Sequence, residues 1–303
     1  MVSHFGWIFD VCIIAIIVYV IHSNAKRGAT KVIVLSIGYI VASFAASLVS
    51  AAGAEAVYQS IAQRNTVSAI EAVNEKVDLP KAFKETIDKG RYGFTSSAQE
   101  IGSILQSEDR AHFDSQLYDY VYEHCGATVG PKSEFLNTIR DSFITAYGDA
   151  MDKKLPAYVR SGFEQAVQDD SEVMRKIVTA QFDSRMSVRD KATEIEVLFA
   201  KAPTVEVMRM FVYLILFSIL MILAAVIAAV AENRLFLNLT KAKERFFGGV
   251  LGLLEVVAML VLFTILVRLL VLIGGGDFLC FSDKAISNSF LFRMLYDNIP
   301  AML

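Results

Sequence analysis

The sequence has few charged residues, few cysteines and no basic excess. Asp, Glu, Lys and Arg together make up 20% of its 303 residues against 54% hydrophobic residues, and the formal net charge is −3. This composition excludes an intrinsically disordered chain and a basic nucleic-acid-binding protein. Three cysteines are too few for a disulfide-stapled scaffold. A mean hydropathy of +0.47 is unusual for a cytosolic enzyme, which leaves a membrane protein.

The hydrophobic residues are concentrated in four blocks near the two ends of the chain. A helix needs about 20 apolar residues to cross a bilayer core about 30 Å thick, and each block is of about that length. The five prolines all lie outside the blocks, which predicts continuous helices. The predicted spans are 5–21, 32–54, 210–231 and 248–273.

The short loops that join the spans in pairs are basic. Lys26, Arg27 and Lys31 lie between spans one and two without an acidic residue, and basic residues also outnumber acidic ones between spans three and four. Short loops of this kind stay in the cytoplasm. The N-terminus, the central segment and the C-terminus are therefore expected to be extracytoplasmic. The first block has no basic n-region, so it is expected to be a retained span rather than a cleaved signal peptide.

The central segment has the length of a whole domain and a helical pattern. Asp78-Leu79-Pro80 predicts a cap followed by the start of a helix. After Gly130-Pro131, an i, i+4 stripe predicts another helix with Ser133 as a candidate cap, and the stripe consists of Phe135, Ile139, Phe143 and Tyr147. The sequence predicts an all-α polytopic membrane protein, with four transmembrane helices and a large helical extracytoplasmic insert between helices two and three. The expected divisions are 1–54 for helices one and two, 55–204 for the insert, 205–273 for helices three and four, and 274–303 for an amphipathic tail. The tail is expected to lie in the outer interface, with packing against the helix bundle or the insert as the alternative.

Three ionisable residues fall inside the predicted spans, namely Asp10, Glu255 and Arg268. Such residues are costly in a membrane and indicate a functional or structural role. Counting 1.5 Å per residue places Asp10 and Arg268 at similar depths below the outer surface. We therefore expect these two to form an ion pair, with separate snorkelling to the headgroups as the alternative.

Small residues recur at four-residue steps along span two and form a smooth packing stripe of Gly38, Ala42, Ala46 and Ser50. Packing within one chain is favoured over a homo-oligomer contact, which stays open. Motifs for nucleotide binding, nucleophilic hydrolysis and zinc proteolysis are not found, and His124-Cys125 is too small a group for a metal site. No catalytic, cofactor or metal residues are therefore expected. Cys125 and Cys280 are expected to be free rather than paired.

Both ends of the chain resemble the colicin V production protein family. At the N-terminal end, the resemblance consists of Asp10 at the start of span one, Arg27-Gly28 in the first loop and an Ala/Ser-rich second span. At the other end, it consists of Gly248, Gly249 and Gly252 at the start of span four, and of the closing NSFLFRMLYDNIP. The insert does not share the resemblance.

The resemblance implies a non-enzymatic integral membrane protein of the bacterial cytoplasmic membrane that supports export, toxin production or envelope maintenance. Its expected partners are the bilayer and other membrane or envelope proteins, and no nucleic acid. Two alternatives remain at this point. The chain is a transporter or channel subunit whose intramembrane charges line a pathway, or a sensor or scaffold whose insert binds a ligand or partner.

Overall fold

A computed structural model describes residues 6–27, 29–152, 154–232, 241–273 and 283–298. Most of the described residues are helical, and none of them forms a β-strand. The longer α-helices are α1 Gly6–Arg27, α2 Ala29–Val57, α3 Gln63–Lys76, α4 Leu79–Lys89, α5 Ala98–Leu105, α6 Phe113–Cys125, α7 Lys132–Met151, α8 Ala157–Asp169, α9 Ser171–Phe182, α10 Val188–Phe199, α11 Lys201–Glu232 and α12 Lys241–Ile273. Two short helices follow, α13 Asp283–Ser287 and α14 Leu291–Asn298. A π-helical turn, Tyr58–Ala62, joins α2 to α3, and 3₁₀ turns occupy Arg110–His112 and Gly126–Val129.

Four helices are long and apolar enough to cross a membrane, as predicted. They correspond to α1, the first part of the continuous helical stretch 31–76, α11 and α12. All four helices extend further than the hydropathy pattern indicated, because polar residues such as Asn24 continue a helix without contributing apolar surface. Span one was expected to end at Ile21, whereas α1 continues to Arg27.

The chain forms two compact units. The first comprises residues 1–57 and 205–303 and contains the four long helices, and the second comprises residues 58–204. They are called the four-span unit and the insert unit below.

The insert unit has an aromatic-rich core. The predicted helical stripe on α7 is buried throughout, with Phe135, Ile139, Phe143 and Tyr147 at most 3% exposed. The predicted cap of α4 is also confirmed, since the Asp78 carboxylate accepts a hydrogen bond from the Lys81 backbone N–H at 3.0 Å. The cap suggested at Ser133 is wrong. The helix already begins at Lys132, after Pro131, which places Ser133 inside its first turn.

In the four-span unit, α12 packs along both α1 and α2. The C-terminal helices α13 and α14 pack against α1, and α14 also packs against α12. Phe292 is fully buried there and stacks on Phe9 with 4.8 Å between ring centroids. The tail therefore follows the alternative expectation, packing against the bundle. Residues of the tail outside 283–298, including Cys280, lie outside the described residues.

Candidate functional site

The carboxylate of Glu255 lies at the centre of a polar cluster inside the four-span unit. Glu255 is on α12 and only 5% exposed. Its Oε2 accepts a hydrogen bond from Nδ2 of Asn24 on α1 at 2.5 Å, and its Oε1 accepts one from the hydroxyl of Tyr39 on α2 at 2.7 Å. Donors from two other spans thus hold both carboxylate oxygens. We call Asn24, Arg27, Tyr39 and Glu255 the Glu255 cluster.

Arg27 completes the cluster at the end of α1. Its Nη1 lies 3.6 Å from Glu255 Oε1 and donates to Asn24 Oδ1 at 3.4 Å. The Arg27 side chain is 39% exposed, whereas that of Glu255 is 6% exposed. The positive charge therefore lies near the surface and the negative charge inside. Such an arrangement stabilises a carboxylate that would otherwise be strongly disfavoured in an apolar span.

Glycines at the start of α12 allow α1 to approach closely enough for these contacts. A Cβ added at Gly248 would lie 2.6 Å from the Asn24 carbonyl oxygen, and one at Gly252 would lie 2.9 Å from Asn24 Nδ2. Real Cβ atoms essentially never approach so closely. Gly249 points to a roomier place, where the nearest atom, Ile21 Cγ2, is 4.0 Å away. The glycine-rich start of span four is therefore a close helix contact centred on Asn24.

A cavity of about 770 Å³ lies beside the cluster and receives side chains from α1, α2, α11 and α12. Glu255, Arg27, Lys31 and Tyr39 line its polar part. Hydrocarbon and methionine side chains line most of the remainder. Its size is in the range of ligand-binding sites in proteins.

Asp10 has a different role from the one expected. Its carboxylate accepts backbone hydrogen bonds from Phe290, Leu291 and Phe292 at 2.9, 2.9 and 3.0 Å. These N–H groups lie at the start of α14, where helix donors lack partners within the helix and the helix dipole favours a negative charge. Asp10 therefore caps the terminal helix from within span one.

The expected Asp10–Arg268 ion pair is wrong, because each residue has another partner. Arg268 Nη2 lies 3.8 Å from Glu206 Oε1 on α11, and its guanidinium lies 5.6 Å from the ring centroid of Tyr296 on α14. The predicted similar depth of Asp10 and Arg268 agrees with one observation. Asp10 and Arg268 both contact α14, at the same end of the four-span unit.

The small-residue stripe of α2 is buried within the chain. Ala42 is 2% exposed, and Ala46 and Ser50 are fully buried. A Cβ at Gly38 would lie 2.6 Å from Cβ of Ala224 on α11, so Gly38 marks a close contact between spans two and three. The hydroxyls of Ser43 and Tyr213 share a hydrogen bond of 3.0 Å between the same two helices. Gly28, the other residue of the Arg-Gly pair, lies outside the described residues.

The insert unit has a buried acidic residue of its own. Glu196 on α10 is fully buried and accepts a hydrogen bond from the Tyr58 hydroxyl, while its Oε2 has no hydrogen-bond partner among the described residues. Burial raises the pKa of the Glu196 carboxyl, although the Tyr58 hydrogen bond and the charge of Lys201 act in the opposite direction.

Two other acidic residues of the insert unit are held by arginines. Hydrogen bonds from Arg185 and the nearby charge of Arg110 hold the pKa of Asp183 well below its usual range. Asp114, with a side chain only 2% exposed, pairs with Arg175 Nη2 at 2.9 Å. The hydrogen bond to Asp114 raises the pKa of the Arg175 guanidinium. The Asp114–Arg175 pair connects α6 with α9, whereas Asp183 and Arg185 lie in the loop that follows α9.

Asn24 and Tyr39 are the site residues that the sequence analysis missed. Asn24 was assigned to the first loop, because the apolar block ends before it. Its position three residues before Arg27 was an available signal, since residues three apart lie on the same face of a helix. Tyr39 lies within the apolar block of span two, and only its contact with Glu255 distinguishes it.

The chemistry of the Glu255 cluster is that of a buried carboxylate with fixed hydrogen-bond donors and one nearby cation. It can bind or release a proton and can contribute to ion binding. Within the described residues, no group of three or more His, Cys, Asp or Glu side chains is arranged to hold a metal ion.

Comparisons with protein family models, curated proteins and solved structures find no match for this chain.

Proposed function

We propose that this chain is a non-enzymatic integral membrane protein of the bacterial cytoplasmic membrane. In this proposal it supports export, toxin production or envelope maintenance together with other membrane or envelope proteins. One observation carries the proposal: the features that resemble the colicin V production family at the two ends of the chain meet in space. Arg27, Gly248 and Gly252 surround Asn24 and Glu255, and Asp10 binds the closing segment.

The convergence supports a shared role for these residues because they are far apart in the sequence. Asn24 and Glu255 are separated by 231 positions, and Asp10 and Phe290 by 280. At 1.5 Å per residue, the separation of 14 positions between Asp10 and Asn24 places the two contact regions about 21 Å apart along α1. We propose that the Glu255 cluster is the functional centre and that the Asp10 contact holds the opposite end of the unit together.

The proposal is tested by deleting the gene in its bacterial host and complementing with variants. Glu255→Gln keeps the size of the side chain but places an N–H₂ group opposite one of the two donors, Asn24 or Tyr39. We expect complementation by the wild-type chain and loss of it with Glu255→Gln, measured as release of an exported reporter and leakage of a periplasmic enzyme. The matched control is Glu85→Gln, at an exposed position of α4.

Protein levels in the membrane are measured for every variant, so that loss of function is not confused with loss of protein. Full complementation by Glu255→Gln at normal protein level contradicts a functional role for the cluster. An unchanged host after gene deletion, in both the export and leakage assays, contradicts the proposed function itself.

The proposed topology has a separate test in intact cells. In a cysteine-free background, a cysteine at the exposed position Gln99 should react with a membrane-impermeant maleimide. A cysteine at the exposed position Lys243 should react only after the cells are opened. The reverse pattern contradicts the extracytoplasmic placement of the insert.

The cavity beside Glu255 favours a second candidate function, a transporter or channel subunit. An intramembrane carboxylate next to a cavity is typical of proton and ion pathways. In proteoliposomes, such a subunit should dissipate an imposed pH gradient faster than protein-free vesicles, and Glu255→Gln should abolish the difference. Vesicles with and without the wild-type protein that lose the gradient at the same rate contradict proton conduction.

A further inference from the structure

We infer that a proton path runs along α2, from the cavity beside the Glu255 cluster through the Tyr39 hydroxyl into a second cavity of the four-span unit. Tyr39 separates the two cavities and passes protons, but not larger ions, between them. This inference rests on the transporter or channel function proposed above as the second candidate, and it names the transported species and its route.

The second cavity has a volume of about 390 Å³ and receives side chains from α2, α11 and α12. Tyr39 lines both cavities. The other hydroxyl groups of the second cavity belong to Ser43, Ser47 and Tyr213, and the rest of its lining is apolar. A water molecule takes up about 30 Å³ in the liquid, so this cavity has room for several water molecules, with the hydroxyls as their hydrogen-bond partners.

The two cavities follow one another along α2. Every fourth residue from Lys31 to Ser47 lines one of them, and Tyr39 in the middle lines both. Lys31 and Ser47 are 16 positions apart, which corresponds to about 24 Å of helix. A hydrocarbon core is about 30 Å thick, so with the membrane placement proposed above the two cavities cover most of its depth.

The Tyr39 hydroxyl is placed to pass protons to Glu255. It donates to Glu255 Oε1 at 2.7 Å, and Tyr39 is only 5% exposed. A hydroxyl has one hydrogen and two lone pairs, so the Tyr39 oxygen can also accept a hydrogen bond from water in the second cavity. In one transfer, the Tyr39 proton moves to Glu255 while the Tyr39 oxygen takes a proton from a hydronium ion in that cavity. Tyr39 is then a neutral phenol again, and Glu255 has gained one proton.

Arg27 favours the release of that proton into the first cavity. Its Nη1 lies 3.6 Å from Glu255 Oε1, and its charge attracts the carboxylate rather than the neutral acid. Glu255 itself lines the first cavity, so its proton can pass to water there. Each cycle therefore moves one proton from the second cavity to the first and returns Glu255 to its charged form.

The hydroxyls of the second cavity have a spacing that suits a chain of water molecules. The hydroxyl oxygens of Ser43 and Tyr213 lie 3.0 Å apart. Ser43 and Ser47 are about one helical turn apart, which corresponds to about 6 Å along the axis. One water molecule that bonds to two hydroxyls spans about 5.5 Å, so single water molecules can connect these groups.

The position of Tyr39 selects protons over other cations. A proton passes through a hydroxyl without movement of the ring, whereas a sodium ion or a solute requires the ring to move aside. Among the described residues, Glu255 is the one carboxylate that lines either cavity, and a bound metal ion needs several oxygen ligands.

The test measures proton flux into proteoliposomes that carry an imposed pH gradient, in sodium-free buffer with potassium and valinomycin to balance charge. Tyr39→Phe keeps the ring and removes only the hydroxyl, so its flux should fall to that of Glu255→Gln. Ser43→Ala and Ser47→Ala each remove one partner of the water chain and should slow the flux about fivefold.

The matched controls carry the same substitutions outside the path. Tyr19→Phe, on α1 with a side chain that is 71% exposed, and Ser218→Ala, at an exposed position of α11, should conduct like the wild type. Variants are compared at equal amounts of incorporated protein, after thermal unfolding in detergent. If Tyr39→Phe does not fold, the two serine variants decide the test, because their positions are only half-buried.

Wild-type flux through Tyr39→Phe, or through both serine variants, overturns the path. If the wild type conducts and Glu255→Gln does not, this result leaves proton conduction itself standing. A wild-type protein that conducts no protons overturns both the path and the second candidate function. Uptake of radioactive sodium by the wild type that is lost in Glu255→Gln overturns the selectivity for protons.

Discussion

Removing the Asp10 carboxylate should release the terminal helix α14 from the four-span unit. The carboxylate accepts three backbone hydrogen bonds at the start of α14, at distances between 2.9 and 3.0 Å. Removing an ordinary N-cap side chain costs about 0.5–2 kcal/mol, and hydrogen bonds to a charged group are stronger than those to a neutral one. Because effects within one group are not additive, we expect Asp10→Ala to weaken docking by about 2 kcal/mol.

This loss is comparable to the other main contribution to docking. Burying a Phe side chain such as Phe292 contributes about 1.5–3 kcal/mol. A loss of about 2 kcal/mol raises the undocked population about 30-fold. Asp10→Asn keeps one acceptor oxygen and should have a smaller effect than Asp10→Ala.

Hydrogen–deuterium exchange of the purified protein measures this opening directly, because Phe290, Leu291 and Phe292 are themselves the donors. Their amides should exchange about 30-fold faster in Asp10→Ala, while amides in the middle of α12 should be unaffected. The control is Asp297→Asn on the same helix, where the side chain is 61% exposed. Equal protection of residues 290–292 in Asp10→Ala and the wild type would refute the capping role.

Two further predictions concern buried contacts in the two units, both measured by thermal unfolding of the full chain in detergent. Burial raises the pKa of the Glu196 carboxyl, so the folded state binds the carboxyl proton more tightly than the unfolded chain does. The stability that this tighter binding contributes is lost as the pH rises from the ordinary carboxyl range through the folded-state pKa. Glu196→Gln should therefore reduce the fall in stability as the pH rises above the ordinary carboxyl range of about pH 4. The exposed Glu194→Gln on the same helix should leave this fall unchanged, and an unchanged pH profile in Glu196→Gln would contradict the reasoning. Gly248→Ala should destabilise the protein by about 1–3 kcal/mol, because the added methyl group overpacks the contact with α1. Gly249→Ala has room for a methyl group and should be neutral or stabilising. Equal effects of the two substitutions would argue against the close approach of α1 and α12.

The general architecture was predictable because it depends on properties that accumulate along the sequence. Long apolar runs without proline predict spanning helices, and the stripe from Phe135 to Tyr147 predicts a buried helix face. Gly38, in the predicted packing stripe, indicated a close helix contact, and the structure places another helix against it. Each of these signals is local and requires no knowledge of which helices are neighbours.

The partners of the intramembrane charges were not predictable in this way. Depth along a helix follows from counting residues, but the partner of a charge depends on which helix faces it. Asp10 and Arg268 both lie near α14, yet Asp10 binds backbone N–H groups there. Nearly every residue carries a backbone N–H group, so the sequence does not distinguish these donors from others. Asn24 was missed because hydropathy measures apolar surface, which a helix does not need in its last turns.

The long sequence separation within the Glu255 cluster has a consequence for biosynthesis. Asn24 precedes Glu255 by 231 residues, and α1 packs against α12 far more than against its sequence neighbour α2. At a translation rate of about 5–20 residues per second, the ribosome reaches Glu255 about 12–46 s after Asn24. With the membrane placement proposed above, the first helical hairpin is in the bilayer during that interval, while Asn24 and Tyr39 still lack their carboxylate partner. In that placement, lipid, water or an insertion factor solvates those two donors until the fourth span arrives.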